Sequence, residues 1–360
     1  MAYPLDFCDA PISCHAWNAD GSMVALCPNT PDILIYRVDG KKFELLYTLK
    51  EHTQLVTSVD WNHKTGQIIS CSQDRNAYVW TFDEATRTWK KELVQLRLGK
   101  AATYCRWSPE GNSFAVATGT SKFKIGAWNE EQKWWQTNDY SNEEPTGLSV
   151  NFHPDSQHVL VSGTSRHCDY VTLLEEERTV KRGKNGKEEC YTLGEWSSQG
   201  WSNFSCFSPS GKWLAFASQD ATIGFVRFEE IGAKDAKNRR ININGLPLLT
   251  LAFLSETTLV GAGFDCAPRI FVLQGDDWVD LGLIDVPEMR DVVEQKATGV
   301  AARAALFGGK SVPKSSSIHN NVIHEIRTLP DRFTTSANDG RIGVWPFAKI
   351  REYFGGKVQI

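Results

Sequence analysis

Along most of the chain, apolar and polar residues alternate over short stretches, and brief polar turns containing Pro, Gly, Asn or Asp interrupt the alternation. The segment VTSVDWNHKTGQIIS (56–70) is typical: an alternating run ending in an aromatic, a polar turn, then a second apolar run. The same arrangement returns as ISCHAWNADGSMVAL (12–26), ATYCRWSPEGNSFAV (102–116), GLSVNFHPDSQHVLV, FSCFSPSGKWLAF, LLTLAFLSETTLVGA and VIHEIRTLPDRFTTS. A period of two is the pattern of a strand with one face buried, so each copy predicts two strands joined by a tight turn.

Aligning the copies on the aromatic that ends the first strand gives Trp17, Trp61, Trp107, Phe152, Phe207 and Phe253, with Ile326 as a degenerate seventh. The spacings are 44, 46, 45, 55, 46 and 73 residues. A period of about 40–45 with four short strands per unit is that of a WD-repeat propeller blade. The expectation is an all-β, seven-bladed WD-repeat β-propeller filling residues 1–360. Its blades fall near 10–51, 52–100, 101–146, 147–200, 201–246, 247–285 and 318–350, and an N-terminal strand near Leu5–Phe7 completes the seventh. The two long spacings mark insertions in the fourth and sixth units.

DRNAYVW (74–80) in the second unit matches DGRIGVW (339–345) in the seventh, with Asp and Trp six positions apart in both. DATIGFV and DCAPRIF are weaker copies. An Asp recurring at one blade position is a turn residue that bonds backbone amides. Asp74 is therefore expected in a buried structural network with His52, with Ser70 or Ser72, and with Trp80; His319, Asp339 and Trp345 form its counterpart. Arg75 is expected just beyond the turn, aimed at a propeller face and available to a partner.

Hydrophobic residues make up 41% and charged residues 23% of the 360, which is the composition of a globular chain. A net charge of -4 gives no general attraction for nucleic acid. No apolar run approaches the ~20 residues that span a bilayer, and the start MAYPLDFCDA has no secretory pattern. Nine cysteines without a CxxC pair read as reduced thiols. FGGKSV (307–312) lacks the first glycine of a phosphate loop, because position 304 is Ala304. Cys14–His15 and His167–Cys168 are adjacent pairs rather than ligand spacings. No catalytic, cofactor or metal residue is expected. The basic run RTVKRGKNGK (178–187) sits between Glu175–Glu177 and Glu188–Glu189 and reads as a solvated loop.

The insertion in the sixth unit, over 287–317, departs from the strand pattern. Val293, Ala297, Val300, Ala304 and Phe307 step by four and three, which predicts a protruding helix with one apolar stripe. Asp291 supplies an N-cap, and Gly308–Gly309 the stop. A lone helix of that length is marginal in water, so the stripe is expected to be covered either by its own propeller or by another protein.

ISCHAWN, DRNAYVW, AATYCRWSP, NEEQKWWQ, LPLLTLAFLSE and GFDCAP, in that order from the first unit through the sixth, resemble the WD-repeat subunit of the actin-related protein 2/3 complex. The resemblance implies a non-catalytic scaffold subunit of a seven-member assembly that nucleates branched actin filaments in the cytoplasm and actin cytoskeleton. Implied partners are the other subunits, including actin-related proteins, together with the actin filament and nucleation-promoting activators. The protruding segment is then the expected contact with filament or activator, through Val292, Val293, Ala297, Val300, Ala304, Leu306 and Phe307. The alternative reading is a stand-alone WD-repeat adaptor that binds peptide motifs at its propeller face.

Overall fold

A computed structural model describes residues 2–141, 145–174, 181–182, 188–189, 192–231, 237, 239–284 and 317–360. They form a seven-bladed propeller, each blade a four-stranded antiparallel sheet. Blade 1 holds β2 (Cys14–Trp17), β3 (Met23–Cys27), β4 (Asp32–Asp39) and β5 (Lys42–Lys50). Blade 2 holds β6 (Val56–Trp61), β7 (Ile68–Ser72), β8 (Ala77–Asp83) and β9 (Thr88–Val94). Blade 3 runs through β10 (Ala102–Trp107), β11 (Ser113–Thr118), β12 (Lys122–Asn129) and β13 (Trp134–Ser141). Blade 4 contains β14 (Gly147–Phe152), β15 (His158–Gly163), β16 (His167–Thr172) and β19 (Thr192–Ser197), and a small hairpin of β17 (Lys181–Arg182) and β18 (Glu188–Glu189) interrupts it. Blade 5 contains β20 (Ser202–Phe207), β21 (Trp213–Ser218), β22 (Thr222–Arg227) and β23 (Arg239–Asn242). Blade 6 contains β24 (Leu248–Ser255), β25 (Thr258–Gly263), β26 (Arg269–Gln274) and β27 (Asp277–Leu283).

Blade 7 joins the two ends of the chain. Its strands are β28 (Ile323–Leu329), β29 (Arg332–Ala337) and β30 (Arg341–Pro346), and its fourth is β1 (Tyr3–Asp6), paired Tyr3 to Val344 through Asp6 to Arg341. A helix, α1 (Phe347–Phe354), follows. Closure gives blade 7 its fourth strand, so β30 is paired on both sides.

The hydrophobic core is distributed rather than central. Seven apolar clusters fill the seven seams between neighbouring blades. The second strand of each blade is enclosed by sheets on both sides, which explains the near-continuous apolar runs IISCS in β7, SFAVAT in β11 and WLAFAS in β21. The outermost strands face solvent, as in β5, where most positions are exposed. The pattern is that of stacked units whose stability comes from their interfaces.

A β-bulge at one height in the inner strands changes one sequence assignment. The pairing shifts between Val56 and Ser58, Ala102 and Tyr104, Gly147 and Ser149, Ser202 and Phe204, Leu248 and Thr250, and Ile323 and Glu325. Counting from the bulge, the position of Trp61 and Trp107 is held in blade 7 by Thr328, not by Ile326. Ile326 matches Val59 and is buried in the seam with blade 6. The slip arose because Ile326 is apolar and Thr328 is not.

The positions 285–316, with Val292, Val293, Ala297, Val300, Ala304, Leu306 and Phe307, lie outside the described residues. Most of the basic run 178–187 does as well.

Candidate functional site

Three surfaces can carry function: the face bearing the aspartate turns, the opposite face bearing the hairpins after the inner strands, and the channel that joins them. On the aspartate face, His52 Nδ1 lies 2.9 Å from Asp74 Oδ2, and its Nε2 lies 2.9 Å from Ser70 Oγ. Trp80 Nε1 donates to the same hydroxyl at 2.9 Å, and Asp74 Oδ2 also accepts the Thr53 amide. In blade 7 the chain of bonds runs from Asp339 to His319 Nδ1 (3.2 Å), from His319 Nε2 to Thr335 Oγ1 (2.6 Å), and from Trp345 Nε1 to Thr335 Oγ1 (2.9 Å).

Of the two serines the sequence allowed, Ser70 occupies the bridge. Ser72, at the strand end, instead accepts the Asp74 amide and donates to the Gln54 carbonyl. The readable signal is a hydroxyl four residues before the Asp, since Ser70 and Thr335 share that offset while Ser72 corresponds to Ala337. Arg75 also moves. It sits inside the turn, not beyond it, with φ of 73° and its amide donating to Ser72 O at 3.1 Å. Its side chain is exposed on the aspartate face. Ala221, Cys266 and Gly340 occupy the same left-handed turn position in blades 5, 6 and 7.

Trp201, Leu246 and Phe264 are exposed on that same face, the first two just before the inner strands of blades 5 and 6 and Phe264 in the turn after β25. Trp201 and Leu246 are 54% and 51% exposed, high for apolar side chains of that size. The outer strands add Phe43, Leu45, Leu93 and Trp134 around the rim. These residues provide apolar surface on a face and on an edge of the ring.

The channel carries charges that the sequence reading passed over. The residue before each inner-strand aromatic, Asp60, Arg106 and Asn151 in blades 2 to 4, faces the channel, and Arg327 is its counterpart in blade 7. Asp60 Oδ1 pairs with Arg106 at 3.2 Å and with Arg327 at 2.5 Å, while Oδ2 accepts the Trp107 amide at 2.7 Å. Glu325 Oε1 takes Arg327 at 2.9 Å and the Tyr104 hydroxyl at 3.2 Å, and Oε2 accepts the His15 amide. Burial pushes the Glu325 carboxyl up to about 7 against the pull of Arg106. A cavity of about 370 Å³ opens beside this network on the hairpin face, lined in part by Trp17, Trp61, Trp107, His63 and Lys64. A charged residue just before a strand-ending aromatic, as in VDW and CRW, is the signal that could have found the ring.

His15 ties blade 1 to blade 7. Its Nδ1 lies 2.9 Å from Ser336 Oγ and its Nε2 2.8 Å from Thr334 Oγ1, which also accepts Trp17 Nε1. Burial, with Arg106 and His319 nearby, lowers its pKa to about 3, so the folded ring holds it neutral. The unfolded chain binds a proton at this histidine below about 6.5 and the folded chain does not. The His15 contribution is therefore fully present above that pH and is lost toward about 3, by about 1.4 kcal/mol per pH unit. Urea unfolding of His15→Gln should show a shallower loss than the parent, by about 2 kcal/mol between about pH 6.5 and 5. Parallel curves would contradict the assignment.

The family model for the WD domain, G-beta repeat, matches residues 43–81. Over its length the chain is 30% identical to actin-related protein 2/3 complex subunit 1A-A of Xenopus laevis, covering 96% of each chain. It is 29% identical to subunit 1A of that complex from Arabidopsis thaliana, covering 96% of this chain and 97% of the relative. To subunit 1 from Schizosaccharomyces pombe it is 28% identical, covering 92% and 95%. A closed ring of seven WD blades, matched end to end by these relatives, places the chain in the family of actin-related protein 2/3 complex subunit 1.

Proposed function

We propose that this chain is a non-catalytic scaffold subunit of an actin-related protein 2/3 complex, supporting nucleation of branched actin filaments in the cytoplasm and actin cytoskeleton. The match over 96% of the chain to subunits named for that complex carries the reading. The closed ring supports it physically. Seven packed seams fix the blades relative to one another, so partners docked on a face, a rim and a loop are held at set angles. Holding actin-related proteins and other subunits in place lowers the entropic cost of building a filament end.

The segment 292–307 and Arg75 are the proposed contacts with filament or activator, from the apolar stripe in the sequence and the exposed turn position. The chain leaves blade 6 after β27 and returns before β28, on the aspartate face with Arg75, Trp201, Leu246 and Phe264. The adaptor reading is weaker, because Asp60 and Glu325 already neutralise the two arginines at the channel cavity.

Size-exclusion of native cell extract tests the assignment. The chain should elute with actin-related proteins in a stoichiometric complex, and elution as a free 40.4 kDa monomer would count against it. Within the complex, Phe307→Asp should leave the ring folded and weaken filament or activator attachment. Unchanged attachment would remove the segment from the proposal.

A further inference from the structure

The hairpin between β14 and β15 reads His153-Pro154-Asp155-Ser156-Gln157-His158, and it gathers three metal-ligand side chains. One ligand atom from each of His153, Asp155 and His158 lies within 4.8 Å of the other two. Asp155 Oδ2 is 2.9 Å from His153 Nδ1 and 2.7 Å from His158 Nδ1. The other carboxylate oxygen, Oδ1, accepts the amides of Gln157 and His158, which aims Oδ2 at the two rings.

Both rings are held in place before any ion arrives. His153 stacks on Phe228 of blade 5 at 4.4 Å and meets Phe207 edge-on at 4.9 Å. Its far edge rests against Gly211, where an added Cβ would sit 2.0 Å from Nε2. His158 stacks on Tyr170 at 5.3 Å. Each histidine is 8% exposed, while the Asp155 side chain reaches solvent.

A plain turn does not require this set. The same hairpin in blades 1, 2, 3 and 5 places Asn18, Asp20 and Met23, or Asn62, Lys64 and Gln67, or Ser108, Glu110 and Ser113, or Ser208, Ser210 and Trp213 at the three positions. The first position caps the turn in each case, and His153 Nδ1 does so by accepting the Asp155 amide at 3.2 Å. The same nitrogen lies 2.9 Å from Asp155 Oδ2. It has one in-plane lone pair, so a metal ion that takes it displaces the Asp155 amide and draws the carboxylate in beside it.

We propose that His153, Asp155 and His158 form a zinc site, bound through the two Nδ1 atoms and Oδ2, with water in the fourth position. Two imidazoles and a carboxylate suit Zn²⁺, and tetrahedral ligands at zinc distances stand roughly 3.3 Å apart, so the two Asp–His distances open by only about half an ångström. The site lies on the seam between blades 4 and 5, whose apolar cluster is the smallest of the seven among the described residues. Zinc there staples the hairpin of blade 4 beside Phe228 and Gly211 of blade 5.

The full-length chain, equilibrated with buffered Zn²⁺ and then dialysed, should retain one zinc per chain by elemental mass spectrometry. Asp155→Asn and His158→Asn should weaken retention by at least the roughly 10–100-fold that loss of outer-shell partners costs, while His324→Asn on another blade should retain zinc like the parent. Zinc should raise the melting temperature of the parent and not that of Asp155→Asn, whose exposed side chain makes misfolding a minor concern. Absence of zinc on the parent, or equal retention by parent and variants, overturns the site.

Discussion

Replacing Gly340 by alanine should release the amino-terminal strand from the ring. Gly340 has φ of 76°, and a Cβ added there would lie 1.8 Å from the carbonyl oxygen of Cys8 and 2.9 Å from that of Ala10. Those are backbone atoms, so the segment after β1 has to move. Arg75, Ala221 and Cys266 carry side chains at the same turn in blades 2, 5 and 6, so the backbone conformation alone does not exclude one. What differs in blade 7 is the N-terminal segment, whose Phe7 and Cys8 amides both point at Gly340 O. Losing β1 exposes Leu5 and Phe7, worth about 1.5–3 kcal/mol each, so a loss of about 3–6 kcal/mol is expected. Hydrogen exchange should show the amides of β1 and β30 losing protection together. Retention of both would mean that the turn shifts and the strand stays.

Asp60→Ala should cost about 3–5 kcal/mol, the range for removing one partner of a buried ion pair. The substitution leaves Arg106, Arg327 and the Trp107 amide facing a gap inside the channel. Urea unfolding with an unchanged slope measures it. Asp60→Asn keeps an acceptor for the amide and should fall between the two. A loss under about 1 kcal/mol would mean that water reaches the arginines and that the cluster behaves as a surface network.

The repeat was legible because each blade writes the same alternation, and the seams require it. The Asp–His–hydroxyl–Trp chain was legible in blades 2 and 7, where Asp74 and Asp339 stand six positions before a Trp, and only the choice between Ser70 and Ser72 was left open. Other features depend on relations between distant blades, and no local pattern encodes them. Asp60 meets Arg327 across 267 residues and His15 meets Ser336 across 321, so each looks like an ordinary polar residue in its own strand. Blade 7 carries Thr328 where the other six units carry an aromatic, so its register has no aromatic mark in the sequence. The histidine pair in the blade 4 hairpin stands at two turn positions that hold no histidine in the matching hairpins, so the repeat gives it no mark.

Sharing one sheet between the two ends of the chain has a consequence for biosynthesis. Residues 3–6 leave the ribosome about 335 residues ahead of their hydrogen-bonding partner in β30. At about 5–20 residues per second that interval is tens of seconds. Throughout it the nascent protein carries β1 as an unmatched strand. The ring therefore latches only once β30 has emerged, and the interval before that is when a holding chaperone has most to protect.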